Sequence, residues 1–304
     1  MTLKICVAQL NFVVGDMAGN AQKIIDCATQ AYQDGARLVL TPELSLCGYA
    51  AEDLFLRPSF IQACDDALKT VSAALSGLKG LHVVVGHPSG GDERTRSVSV
   101  QRRFNMASVV CEGQVVASYA KRELPNYQVF DERRYFVAGD KPCVFEVEGT
   151  KVGLLICEDA WFDAPAIDAK TAGAELLAVI NASPFHVGKG DEREQAMRGR
   201  VQATGLPLIY AHLVGGQDEV VFEGRSFAIQ ADGAFCCIFS WLCFNGVTVV
   251  ENFCRSCNVI ELDVVQSFFL CAGDIDWRLC SAINAGHKAW IQLAPVCWAG
   301  LTFV

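Results

Sequence analysis

Three residues of this chain carry the side chains that covalent amide hydrolysis requires. Cys157 closes the apolar run Val152-Gly153-Leu154-Leu155-Ile156-Cys157, and two carboxylates, Glu158 and Asp159, follow at once. The run 37–42 leads into Glu43, and the run 114–120 leads into Lys121. An amide carbonyl is resonance-stabilised, so a sulfur nucleophile needs help. Something must take the thiol proton, hold the developing oxyanion and return a proton to the leaving nitrogen. A carboxylate can do the first and third jobs. A lysine, with the backbone N–H after the nucleophile, can do the second. Taken singly, each residue has a plainer reading: a small core thiol, a solvated loop carboxylate, a surface charge. Their joint placement at strand ends gives them weight.

The elements around them must deliver those ends to one edge. Continuously apolar runs read as strands covered on both faces, and ligands of open α/β sheets gather at carboxyl edges. Strands are predicted at 3–9, 37–42, 81–86, 104–111, 114–120, 143–147, 151–156, 176–180 and 206–211. Helices are predicted near 18–34, 59–76, 163–173 and 191–204, with Gly35 ending the first. Residues 88–99 read as a polar loop. Glu112-Gly113 and Glu148-Gly149-Thr150 read as hairpin turns, so the sheet is mixed.

Bulk properties bound the class. The chain has 304 residues, 52% hydrophobic and 19% charged, enough for a large globular core. A net charge of −9 argues against nucleic-acid binding, which needs clustered Lys and Arg. The N-terminal apolar run meets Gln9 too early for a signal-peptide core. The 15 cysteines therefore read as reduced thiols in the cytosol. Residues 233–250 carry no charge but are interrupted by Ser240, Asn245 and Gly246, which argues against a membrane span.

Three segments resemble the signature motifs of the nitrilase (carbon–nitrogen hydrolase) superfamily. They are Pro42-Glu43-Leu44-Ser45-Leu46-Cys47-Gly48-Tyr49, Tyr119-Ala120-Lys121-Arg122-Glu123-Leu124-Pro125-Asn126-Tyr127 and Leu155-Ile156-Cys157-Glu158-Asp159-Ala160-Trp161. The stretches 124–136 and 181–189 look like the glutaminase domains of glutamine-dependent NAD synthetases, and the resemblance covers about residues 3–233. It implies an α/β fold, a four-layer α-β-β-α sandwich, with Glu43 as general base, Lys121 as oxyanion stabiliser and Cys157 as nucleophile. It also implies glutamine held by Tyr127, Phe130, Glu158, Ser183 and Lys189, with Tyr49 nearby. Glu132 matches the superfamily's second active-site carboxylate, but within Asp131-Glu132-Arg133-Arg134 it reads as a surface residue. Amide hydrolysis would take no cofactor and no metal. ATP and Mg²⁺ would belong to a synthetase domain acting as partner, and the superfamily implies a homo-oligomer.

Other candidates have bland readings. Ser89-Gly90-Gly91-Asp92 reads as a turn, Cys254 and Cys257 as a lone ligand pair, and His82, His87, His186 and His212 as structural histidines. The domain is expected over 1–234, with an outer bound near 265. The last 71 residues hold four of the five tryptophans, eight cysteines and three Lys or Arg, and no synthetase motif is legible there. That shift in composition suggests that 235–304 is a translated frameshift. Three readings follow: a glutamine amidohydrolase supplying ammonia for NAD synthesis, a free-standing amidase on another small amide, and a non-catalytic remnant.

Overall fold

The computed structural model describes residues 2–90, 102–127, 130–238, 246–254, 259–260 and 268–269. In strand β1 (Thr2–Gln9), Leu3, Ile5 and Val7 share one core while Cys6 and Ala8 belong to another. A strand whose alternate residues are all apolar must be covered on both sides, and the strands through 38–40, 152–156 and 176–180 repeat this arrangement.

Helix α1 (Met17–Gln33) follows β1, capped by Asp16, whose carboxylate accepts from Gly19 N at 2.9 Å. Next come β2 (Leu38–Leu40), α2 (Pro58–Ala74) and β3 (His82–Gly90). The hairpin of β4 (Arg103–Cys111) and β5 (Gln114–Ala120) completes this half. The chain then makes one helical turn, α3 (Glu132–Tyr135), and enters the hairpin β6 (Cys143–Val147) and β7 (Thr150–Ile156). Helix α4 (Asp163–Thr171), β8 (Leu176–Asn181), α5 (Lys189–Thr204) and β9 (Leu208–His212) follow. A small ribbon, β10 (Val214–Gln217) with β11 (Val220–Glu223), precedes β12 (Phe227–Ile229), β13 (Phe235–Ile238) and β14 (Gly246–Cys254).

One sheet runs β14-β1-β2-β3-β4-β5 and the other β13-β12-β9-β8-β7-β6. Each has three parallel strands at its centre (β1, β2, β3 and β7, β8, β9) and antiparallel strands outside them. The inner faces meet in one core, where Ile5, Leu38, Leu40 and Val84 pack with Leu154, Ile156, Leu176 and Ile180. Helices α1 and α2 cover the outer face of the first sheet through Ile24, Ala28, Cys64 and Val71. Helices α4 and α5 cover the second through Ala166, Ala169, Met197 and Val201. The layers are thus α-β-β-α, the nitrilase-type sandwich implied by the motifs.

Two sequence expectations need correction or a boundary. β3 does not stop at Gly86; it pairs with β4 through Pro88, Ser89 and Gly90, because the hairpin partner extends that far. Ser89 and Gly90 are therefore strand rather than turn, and Gly91 and Asp92 lie outside the described residues. Strand β14 pairs with β1 in the first sheet, so part of 235–304 is built into the sandwich. The frameshift reading otherwise falls outside the described residues, as does Cys257 of the lone ligand pair. No helix among the described residues is long and apolar enough to cross a membrane.

Candidate active site

Glu43 follows β2 in a turn held by buried hydroxyls. Thr41 Oγ1 donates to Val84 O at 2.8 Å and lies 2.7 Å from Ser45 Oγ. Gly86 lets this turn lie directly on β3, since a Cβ there would strike Pro42 O and Leu44 N. The Glu43 carboxylate is buried and receives three donors. Lys121 Nζ and Asn105 Nδ2 reach Oε1 at 2.7 and 2.8 Å, and Ala182 N reaches Oε2 at 3.1 Å. The last bond comes from the other sheet, just past β8.

Lys121 follows β5, its backbone N donating to Asn105 O at 2.9 Å. Its ammonium bridges Glu43 and Glu132, the second contact being 2.8 Å to Oε1. The surface reading of Glu132 is overturned. Asp131, Arg133 and Arg134 are exposed, but the single turn of α3 points Glu132 inward, fixed by Glu132 N on Pro125 O (3.1 Å) and by the bond from Phe136 N to Glu132 O. Glu132 Oε1 also accepts from Tyr49 OH at 3.4 Å, while its Oε2 is buried without a partner.

Cys157 opens a 3-10 turn, Cys157–Trp161, directly after β7, with φ at +47°. A residue with a Cβ in the left-handed region costs roughly 1–2 kcal/mol, so the turn must be held by its surroundings. Asp159 does so, accepting from Ile156 N at 3.0 Å. Burial pushes the Cys157 thiol well above its ordinary range, the negative charge of Glu43 adds to this, and Lys121 opposes it. The thiol is therefore a neutral S–H at rest, in the field of both Glu43 and Lys121. Burial alone would lower the Lys121 pKa, but Glu132 and Glu43 outweigh it and hold the ammonium charged. Burial raises Glu132 to about 7, against the pull of Lys121.

A second group lies beside the thiol. Glu158 accepts from Tyr127 OH at 2.9 and 3.0 Å, and Phe130 packs edge-on to Tyr127 with ring centres 5.6 Å apart. Burial raises the Glu158 carboxyl; Tyr127, Lys121 and Lys189 draw it back. Lys189 sits at the start of α5 with Nζ 4.2 Å from the Trp161 ring centre. Ser183 is buried just beyond β8. Among the expected site residues, Glu43, Lys121 and Tyr49 are joined through Glu132, and Tyr127 with Glu158 forms the adjoining carboxylate. Sequence reasoning missed Asn105 and assigned no task to Tyr119 or Asp159. The signal for Asn105 is an amide within an apolar strand, at an inward position beside the Lys121 strand end.

Of the histidines, His87 and His212 are buried within the fold and His186 is exposed. His87 is buried, 2.8 Å from Ser108 Oγ, and burial depresses it to about 4. Burial also pushes His212 well below the usual imidazole range. No cluster of three or more His, Cys, Asp or Glu suited to a metal occurs among the described residues.

The chain can now be set beside known proteins. It is 45% identical over 234 residues to a glutamine-dependent NAD(+) synthetase of Xylella fastidiosa, covering 76% of this chain and 41% of that protein. The corresponding protein of Aquifex aeolicus is 40% identical over 233 residues, with 39% of its length covered. The chain thus spans about two fifths of the length of these curated relatives. Among solved structures, a glutamine-dependent NAD+ synthetase of Acinetobacter baumannii in complex with ADP superposes with a TM-score of 0.76 at 33% identity, over 88% of this chain and 49% of that one. A mutant amidase from Nesterenkonia sp. AN1, carrying the acetamide moiety of fluoroacetamide covalently at its active-site cysteine, gives 0.70 at 25% identity, over 82% of this chain and 90% of that one. The carbon–nitrogen hydrolase pattern matches residues 4–242, which takes in both sheets' central strands and every site residue described above. With a buried carboxylate–lysine pair set against a strand-end thiol in that matching region, the chain belongs to the carbon–nitrogen hydrolase family.

Proposed function

We propose that this chain hydrolyses the side-chain amide of glutamine through a thioester on Cys157, releasing ammonia for glutamine-dependent NAD synthesis. Cys157 Sγ bonds to the amide carbon as its proton passes to Glu43. The carbonyl electron pair moves onto oxygen, held by Lys121 Nζ and the backbone N–H of residue 158. The C–N bond then breaks, Glu43 returns the proton to the leaving nitrogen, and ammonia departs. Water adds to the thioester while Glu43 takes its proton; glutamate leaves and Cys157 regains S–H. Each oxyanion donor in such a site contributes about 3 kcal/mol.

The observation carrying this reading is the buried Lys121 held between Glu43 and Glu132, acting on a neutral thiol. A thiol raised by burial needs a base at the moment of attack, and Glu43 is the carboxylate whose charge acts on it most. Glutamine as substrate is favoured by the charges beside the thiol. Glu158 with Tyr127 would take the α-ammonium, and Ser183 with Lys189 the α-carboxylate, while Phe130 and Tyr49 shape the walls. The steps balance without a cofactor; ATP and Mg²⁺ would serve a synthetase domain as partner, and the active protein would be a homo-oligomer in the cytoplasm.

The likeness to the Nesterenkonia amidase along nearly its whole length favours a second reading, hydrolysis of a small uncharged amide. Ammonia release by the purified chain separates the two. Turnover of glutamine, lost in Cys157→Ala, supports the first, and turnover of acetamide but not glutamine supports the second.

A further inference from the structure

We infer that Asp159 is a positioning residue that registers Lys121 against Cys157 across the two sheets, setting the turnover rate without touching substrate. The inference deepens the hydrolytic reading above and rests on it. β5, which carries Lys121, and β7, which carries Cys157, belong to different sheets, and no strand hydrogen bonds link them. The apolar core between the sheets is non-directional and fixes their separation better than their sliding register. A directional tie is needed to hold two strand ends to within a few tenths of an ångström.

Asp159 supplies it. The residue is fully buried, and each oxygen accepts two hydrogen bonds. Oδ2 receives Tyr119 OH at 2.9 Å and Ile156 N at 3.0 Å, and Oδ1 receives Arg122 N at 2.9 Å and Glu123 N at 2.8 Å. Tyr119 and Arg122 bracket Lys121, while Ile156 and Asp159 bracket Cys157. One carboxylate therefore grips both sides of the lysine and both sides of the nucleophile, including the turn that holds Cys157 at positive φ. A carboxylate has about four acceptor sites, and here all are filled from within the protein. Asp159 thus has no lone pair left for substrate, which sets it apart from Glu43 and Glu132.

The test uses the full chain carrying Asp159→Asn, which keeps the shape but turns an NH₂ against N–H donors, and Tyr119→Phe, which removes one of the four bonds. Displacement of a catalytic group by about 1 Å can cost 10²-fold. Below the melting temperature, Asp159→Asn is expected to lower kcat for glutamine by about that factor with KM nearly unchanged, and Tyr119→Phe by several-fold. Wild-type kcat in a folded Asp159→Asn protein overturns the inference. Should that variant fail to fold, wild-type kcat in Tyr119→Phe overturns it instead. Alkylation of Cys157 by iodoacetamide, read by peptide mass spectrometry, is independent of the substrate assignment. A wild-type protein inert to glutamine sinks the glutaminase reading alone. Slower alkylation of Cys157 in the same variant then still supports the tie, and an equal or faster rate overturns it.

Discussion

Lys121 Nζ lies 2.7 Å from Glu43 Oε1, although 78 residues separate the two and both side chains are fully buried. Glu132 takes the other side of the same ammonium. One cation thus sits between two buried carboxylates, offsetting the charge of Glu43 while Glu132 is held up to about 7 by burial. Removing one member of a buried ionic set typically costs about 3–5 kcal/mol, because the remaining charge is left uncompensated. Lys121→Met is expected to lose stability of that order in urea unfolding at pH 7.5. The deficit should shrink as the pH falls and the orphaned carboxylates take up protons.

Glu132 makes a separate prediction about pH. Its folded-state pKa is raised to about 7 from 4.5, chiefly by burial. The folded state therefore holds this proton more tightly than the unfolded chain does. The contribution is most favourable below about 4.5 and is lost as pH rises towards 7. Glu132→Gln carries no such proton. Unfolding free energies measured from pH 4.5 to 8 should fall more steeply for the wild type than for Glu132→Gln. Parallel curves would mean that Glu132 holds no excess proton in the fold.

Much of this arrangement was legible in the sequence, for a physical reason. Strands buried on both faces, such as 152–156 and 176–180, announce themselves as unbroken apolar runs, and the polar residue that follows marks a strand end. Glu43 and Cys157 follow such runs, whereas the run before Lys121 exposes Val115 and Val116, and it is the resemblance of all three segments to the superfamily motifs that singles the trio out. Glu132 was misread because a single helical turn has no periodicity to show which of four charged neighbours points inward. Asp159 passed as an ordinary polar residue because its role depends on bonds to three residues 36 to 40 positions away and one 3 positions away. Asn105 was overlooked for a similar reason, since its meaning comes from Glu43, 62 positions distant.

Glu43→Gln should separate the acidity of the thiol from catalysis. The Glu43 charge is the largest electrostatic influence raising Cys157, after burial. Neutralising it should move the midpoint of iodoacetamide alkylation at Cys157 to lower pH. The same substitution removes the carboxylate proposed to carry the proton, and loss of a positioned acid–base group costs about 10²–10⁴-fold in rate. A more acidic sulfur in a far slower enzyme is the expected pair of results. An alkylation midpoint that stays in place or rises would remove Glu43 from the neighbourhood of the thiol. Asn105→Ala, which strips one of three donors from Glu43, should cost about tenfold in kcat, in keeping with roughly 1.5 kcal/mol for a hydrogen bond to a charged group.

Tyr127→Phe bears on substrate choice. The phenol donates to both oxygens of Glu158 and so fixes the carboxylate proposed to receive the α-ammonium of glutamine. The hydroxyl takes no part in the chemistry proposed for Glu43, Lys121 and Cys157, and the ring that packs against Phe130 is retained in the variant. Loss of a hydrogen bond to a charged group is worth about 1.5–3 kcal/mol, or at least tenfold in affinity. The KM for glutamine should therefore rise about tenfold or more with a small change in kcat. Cys157 alkylation, which needs no α-ammonium, should keep its wild-type rate. If KM is unmoved while alkylation slows, Tyr127 belongs to the nucleophile's own surroundings, and the ammonium subsite must be sought elsewhere in the pocket.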